Sequence, residues 1–299
     1  MKYYKARAIT TPFWKPGDNY LTYITQAIKS KVKDGDIIAV SEKAISTALG
    51  NIVDESKAEP SWTADFLARC WMRIVWGYFL GSLCHLKRET IQRLRNYPTK
   101  EGTRHKQVTL QYAGLLHALM YGSEGGIDGS NLPYAYVSLS LPNATEVAQK
   151  IRIAIKETLN KNVTVLIVDT DKTYSLGSFN FTPRPAATMG IHSNCGVLAY
   201  VTGRSMKLRN HATPIAVTDT KLGTQEALSI STIANMTRGY GAGRTVWDMA
   251  DRFGVSLTQT TWEMLEKIEH KPIVIMRRRG EDICVTSSNT SKGEKGWSP

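Results

Sequence analysis

Cysteine is scarce in this 299-residue chain, and Cys70, Cys84, Cys195 and Cys284 fall at no redox or metal-binding spacing. That excludes a small disulfide-framed secreted scaffold and predicts free thiols in a reducing, cytoplasmic setting. Only 11 prolines and 23 glycines are present, with 42% hydrophobic residues, which excludes collagen-like and low-complexity chains. No long uninterrupted apolar run exists. The best membrane candidate, 66–86, contains Arg69 and Arg73, each costing roughly 2.5–3.5 kcal/mol at mid-membrane depth. The first residues, Met1 to Arg7, lack a signal-peptide pattern. A soluble protein with a buried helix there is expected. Gly-Lys-Ser/Thr phosphate loops, a dinucleotide fingerprint after a strand and a G-x-S-x-G elbow are all missing. His192 and Cys195 have no second pair to complete a zinc site.

Acidic residues are also few, 26 against 38 Lys+Arg, giving a net charge of +12 and a pI near 9.5. Each half of the chain carries 19 basic and 13 acidic residues, so the excess is not a basic tail. It calls for an anionic partner: nucleic acid, membrane surface or phosphorylated ligand. No nucleic-acid module is visible. The basic run Lys87 to Lys106 holds seven Lys+Arg and two acids without aromatic interleaving, and it reads most simply as a solvated helix face.

The pattern predicts a mixed α/β or α+β chain. Asp18 is placed to cap a helix 20–32, and Asp34-Gly35-Asp36 to turn into a buried strand, Ile37 to Val40. Helices are expected over 63–97 and 107–120. A half-buried strand is expected over 134–141, then a helix from Asn143, paired with Glu146 for capping, to Leu159. Val163 to Val168 reads as a strand ending at Asp169-Thr170. A strand at 197–201, a helix at 224–236, a glycine loop at 239–243, a helix over 246–268 interrupted near Gly254 and a strand at 273–276 complete the pattern. One ordered unit, 1–286, and a flexible tail, 287–299, are expected.

Two loops could carry chemistry. Asp128 and Asn131 share the Gly-rich stretch 122–131, and Asp169 with Thr170 ends a buried strand. These are hard oxygen donors suited to Mg²⁺ or Mn²⁺, although an aspartate in a turn more often serves the turn itself. Gly239, Gly241 and Gly243 could offer backbone N–H groups to a phosphate, or could form a plain connector.

In order and spacing, Gly17-Asp18, Asp34-Gly35-Asp36, the segment Ser41 to Gly50, Gly126-Ile127-Asp128-Gly129-Ser130-Asn131 and Val168-Asp169-Thr170 resemble the coenzyme F420-0:L-glutamate ligases. The resemblance covers about residues 8–175 and extends more faintly to Gly280. It implies an intertwined homodimer that uses GTP and a divalent metal to join L-glutamate to a carboxylate of an anionic, phosphodiester-containing coenzyme precursor. It also implies metal contacts at Asp128, Asp169 and Thr170. Nucleotide contacts are implied at Thr11, Pro12, Phe13, Trp14, Glu42, Lys43 and Asn131. Three departures stand out. Ser46-Thr47-Ala48-Leu49-Gly50 lacks a lysine the family carries, Tyr174-Ser175-Leu176-Gly177 replaces an Arg-rich turn, and Tyr240 takes an acidic place in the glycine loop. A ligase for a different acid, or a non-catalytic nucleotide-binding relative, remains open on those grounds.

Overall fold

The apolar run that ends in Asp169 forms the middle of a six-stranded mixed sheet in the computed structural model, which describes residues 4–122 and 124–278. The strands are β1 (Tyr4–Thr11), β2 (Ile37–Ser41), β5 (Thr164–Leu176), β6 (Phe179–Phe181), β7 (Arg209–Val217) and β8 (His270–Arg278). The short strands β3 (Ile52–Asp54) and β4 (Tyr136–Ser138) pair separately. The main order is β1-β8-β2-β5-β6, with β7 on the other edge of β5. β2 and β5 run parallel, Ile37 opposite Thr164, and the other pairings are antiparallel.

Side-chain alternation sends Ile38, Val40, Val165 and Ile167 to one face, against the helices Tyr20–Ile28 and Ala144–Leu159. Ile37, Ala39, Leu166 and Val168 go to the other, against helix Thr224–Arg238. Both faces are covered, so these strands are continuous apolar runs. A separate helical cluster around Met72, Trp76, Leu94 and Tyr97 is built mainly from 62–95. No helix among the described residues is long and apolar enough to cross a membrane.

β2 stops at Val168 on one edge of β5, and β6 begins only at Tyr174. Asp169 to Thr173 therefore have no neighbouring strand there, and the ladder to β7 shifts register between Asp169 and Lys172. Such an irregularity re-aims side chains. It opens the sheet beside the start of helix Glu42–Ala48.

Several expectations are corrected. β5 runs through Asp169-Thr170 to Leu176 rather than ending there. The strand expected at 197–201 is part of helix Gly196–Ser205: the local β propensity yields to tertiary packing, with Tyr200 edge-on to Trp76 and Gly203 backed against the Tyr174 ring. Asn19, not Asp18, caps the first helix, and Asp18 instead accepts from the Lys15 amide. Asn143 adopts φ +50° and makes no side-chain cap bond. The expected 107–120 helix is Thr99–Tyr112 followed by Leu115–Ala118, broken at Gly114 with φ +83°. The stretch 246–268 is interrupted at Gly254 as expected, giving helices Val246–Phe253 and Trp262–Glu266, whereas only 136–138 of the strand 134–141 pairs. The run Lys87 to Lys106 is not uniformly solvated, because Lys106 is fully buried. The expected tail, 287–299, lies outside the described residues.

Candidate functional site

A cavity of about 510 Å³ opens beside the break in the sheet, within the range of about 300–1,000 Å³ usual for small-molecule sites. Asp169, Thr170, Asp171 and Lys172 enter from β5, and Lys43 from the first turn after β2. The loop 128–131 and the segment 238–244 close the opposite side.

The charges there are layered. Deepest is Arg184, which is 2% exposed. Its Nη2 donates to both carboxylate oxygens of Glu42, at 2.6 and 2.7 Å, and Nη1 lies 2.9 Å from Asp169 Oδ2. Asp171 Oδ2 is 3.7 Å from the same nitrogen. Burial alone would raise the Asp169 carboxyl, but Arg184 and the Thr170 amide hold it below its ordinary value. Burial pushes the Glu42 carboxyl up, against the pull of Arg184. Gly126 makes room for this guanidinium, since a Cβ there would sit 1.8 Å from Arg184 Nη1.

Nearer the cavity, Lys43 Nζ donates to Asp128 Oδ2, to Ser130 Oγ at 2.7 Å and to the Ser130 carbonyl at 3.0 Å. Asp128 Oδ1 accepts the Ser130 amide at 2.7 Å, the local turn bond expected of an Asp two residues ahead. Arg238, at the end of helix Thr224–Arg238, donates to Thr170 Oγ1 at 2.7 Å and to Asn235 Oδ1 at 3.1 Å. Arg244 lies over the Tyr240 ring, 4.1 Å from its centroid. Lys172, Arg238 and Arg244 all line the cavity, and none makes an ion pair among the described residues.

Asn131 acts as a latch. Its Oδ1 accepts the Ala242 amide at 2.6 Å, and its Nδ2 donates to the carbonyls of Tyr240 and Gly243. The glycine loop is thereby tied to the Asp128 loop. Gly241, at φ +59°, has no space for a Cβ beside Asn131 Oδ1. The amide of Ala242 is spent on Asn131 and that of Gly243 on the Tyr240 carbonyl, which limits the N–H groups left for a phosphate.

Among the residues singled out in the sequence, Phe13, Trp14, Lys43, Asp128, Asn131, Asp169, Thr170, Gly239, Gly241 and Gly243 line this one cavity. Thr11, Pro12 and Glu42 stand behind it. Glu42 is occupied by Arg184. Thr11 Oγ1 and the Pro12 carbonyl meet His270 Nδ1 at 3.2 and 2.9 Å. Phe13 stacks on the His270 ring at 4.5 Å, and burial pushes that imidazole down to about 4. Sequence reasoning missed Arg184, Lys172, Arg238 and Arg244. A signal existed for three of them: Arg184 sits between two prolines, and Arg238 and Arg244 flank the glycine loop.

At another wall, His105 lies 2.6 Å from Glu55 and 3.5 Å from Glu124, whose other oxygen is 2.6 Å from Lys106. Burial disfavours the charged imidazole, but Glu55 and Glu124 outweigh it and raise His105 to about 9.

The carboxylates of Asp128 and Asp169 with the Thr170 hydroxyl are too few to enclose a divalent ion, and no group of three His, Cys, Asp or Glu side chains that could hold one is found among the described residues. Such a set fits Mg²⁺ or Mn²⁺ arriving with phosphates, which needs one or two protein carboxylates and keeps other ligands from water and substrate. Asp128 joins it only when Lys43 releases its oxygen.

Comparison with known proteins gives two findings. The family model described as F420-0:Gamma-glutamyl ligase matches residues 8–285. A protein of Methanocaldococcus jannaschii, named "Uncharacterized protein MJ1361", is 34% identical over 289 residues, spanning 93% of this chain and 97% of its own length.

Proposed function

The chain belongs to the F420-0:gamma-glutamyl ligase family, and from that premise we propose that it is an acid–amino-acid ligase consuming a nucleoside triphosphate in the cavity between β5 and the glycine loop. In the reading the family suggests, the nucleotide is GTP, the amine is L-glutamate and the acid is the coenzyme precursor F420-0, handled by an intertwined homodimer. The observation that carries the proposal is that Lys172, Arg238 and Arg244, which make no ion pair among the described residues, line one cavity with Asp128 and Asp169. A triphosphate is the chemistry that arrangement suits: two guanidinium groups and a lysine for its oxygens and two carboxylates for its accompanying ion.

A substrate carboxylate oxygen attacks the γ-phosphorus, the bond to the β-phosphate oxygen breaks, and an acyl phosphate and GDP form. The amine of the amino acid then attacks the acyl carbon, loses a proton and expels inorganic phosphate. These steps need positioning and charge neutralisation more than a protein nucleophile. Arg238 and Arg244 hold phosphate oxygens, and Lys172, whose charged form burial disfavours, adds its charge from the β5 side. Asn131 keeps the glycine loop in place, and Arg184 fixes Asp169 for its role. Asp128, Asp169 and Thr170 would hold Mg²⁺ or Mn²⁺, which when bound neutralises charge on the phosphates.

Glutamate-dependent phosphate release from GTP and F420-0 tests the reading. Asp169→Asn is expected to abolish it while leaving the circular dichroism spectrum unchanged, and full turnover by that variant refutes the assignment. Tyr240 at the acidic place of the glycine loop, with Arg244 over its ring, favours a second reading, a nucleotide-binding relative without ligase activity. Thermal stabilisation by GTP or ATP with Mn²⁺ or Mg²⁺, without glutamate-dependent phosphate release, selects it.

A further inference from the structure

Asp128 and Asp169 are both held by cations of the protein, but the two cations differ in kind. Arg184 is 2% exposed and bound to both oxygens of Glu42 as well as to Asp169, so leaving would take the cation from both acids at once. It is a fixed part of the wall. Lys43 projects from the first turn of helix Glu42–Ala48 on a flexible stem, and its side chain keeps 21% of its surface exposed to the cavity.

The Lys43 ammonium sits on three oxygens: Asp128 Oδ2, Ser130 Oγ and the Ser130 carbonyl. Three oxygen acceptors satisfy its three N–H donors. A carboxylate, a hydroxyl and a carbonyl are also donor types a hard divalent cation accepts. The remaining Asp128 oxygen is engaged by the Ser130 amide and, being part of the turn, is not freely available. The Lys43 ammonium and a divalent cation therefore compete for Asp128 Oδ2, since two positive charges a few ångström apart repel strongly in a partly buried site.

We propose that Lys43 is an exchangeable cation: its ammonium holds Asp128 while no divalent ion is bound, and it transfers to a phosphate oxygen of the nucleotide when the ion takes Asp128. The inference rests on the reading that Asp128 is a ligand of that ion. It explains how Asp128 stays charge-balanced while no ion is bound. It makes ion and nucleotide bind cooperatively, because the phosphate supplies the anion Lys43 loses, and such coupling is reciprocal.

The test measures Mn²⁺ binding directly, by the electron paramagnetic resonance signal of free Mn²⁺, on the purified full chain without turnover. Lys43→Met keeps the stem and removes the charge, and it is expected to bind Mn²⁺ alone about tenfold tighter than the unaltered chain. Lys43→Arg, which retains a charge on Asp128, is expected to bind no tighter than the unaltered chain. A non-hydrolysable GTP analogue should tighten Mn²⁺ binding to the unaltered chain by a larger factor than it does for Lys43→Met. Equal or weaker Mn²⁺ binding by Lys43→Met, in a variant with an unchanged thermal melt, overturns the exchange. Should that melt change, tighter Mn²⁺ binding by Lys43→Arg than by the unaltered chain overturns it equally. Asp128→Asn separates the two levels. If it leaves Mn²⁺ binding intact, the ion does not use Asp128 and both readings fall. If it abolishes binding while Lys43→Met changes nothing, the ion site stands and the exchange alone is refuted.

Discussion

Replacing Arg184 with methionine removes the cation that Glu42, Asp169 and Asp171 share while keeping an unbranched side chain of similar reach. Glu42 and Asp171 are 3% and 7% exposed, and the lost contacts include hydrogen bonds at 2.6 and 2.7 Å and an ion pair at 2.9 Å. Removing one partner of a buried ion pair costs about 3–5 kcal/mol, because the remaining charge is left without compensation. With Glu42 and Asp169 both losing that cation, the upper part of that range is expected at pH 7.5. The pH dependence follows by linkage. In the unaltered chain Asp169 is held below its ordinary value, so its contribution is present above its unfolded pKa and is lost as pH falls through the lower folded value. In Arg184→Met the buried acids titrate above their unfolded values, so the variant recovers stability as pH falls, by up to about 1.4 kcal/mol per pH unit for each acid that takes up a proton. Urea denaturation followed by tryptophan fluorescence, at pH 7.5 and 4.5, reads both quantities. A loss below about 1 kcal/mol at pH 7.5, or a loss that grows on acidification, refutes the reasoning.

Asn131→Leu removes the three hydrogen bonds that latch the glycine loop. At about 1 kcal/mol each the loop should open locally, seen as faster tryptic cleavage after Arg238 and Arg244 with little change in the global melt. His105 should remain an imidazolium to about pH 9. Its share of stability is fully present below the unfolded value near 6.5 and lost as pH rises through about 9, and the ring-carbon NMR shift should titrate there; a midpoint near 6.5 contradicts the Glu55 and Glu124 pairing. Arg244→Ala should weaken nucleotide binding about tenfold, the value of one charge-assisted contact, and isothermal calorimetry measures it.

What the sequence made legible follows from local physics. Ile37 to Val40 and Val163 to Val168 are short apolar runs preceded by turn residues, and both lie in central strands covered on two faces. The cavity-lining segments were legible because loops rich in Gly, Asp and Asn after apolar elements mark where chains turn and ligands gather. Val197 to Val201 misled because its β-branched residues were read locally, whereas Tyr200 and Gly203 answer to Trp76 and Tyr174, distant in sequence. Asn143 and Asp18 sit where caps belong, but only backbone angles decide whether a side chain reaches the amide. The carboxylate partners of Arg184 and Lys43 were hidden for a similar reason. Each depends on acids 142 and 85 residues away, and a basic residue in sequence carries no mark of the carboxylate it will meet.

The account stands or falls on a nucleotide-driven acyl transfer in this cavity, and one isotope measurement tests that directly. F420-0 labelled with ¹⁸O in its carboxylate is incubated with the chain, GTP, Mg²⁺ and L-glutamate, and the inorganic phosphate is analysed by the isotope shift in its ³¹P NMR signal. The predicted result is one ¹⁸O atom carried from the carboxylate into each phosphate released. Unlabelled phosphate, or no phosphate release under these conditions, contradicts the account.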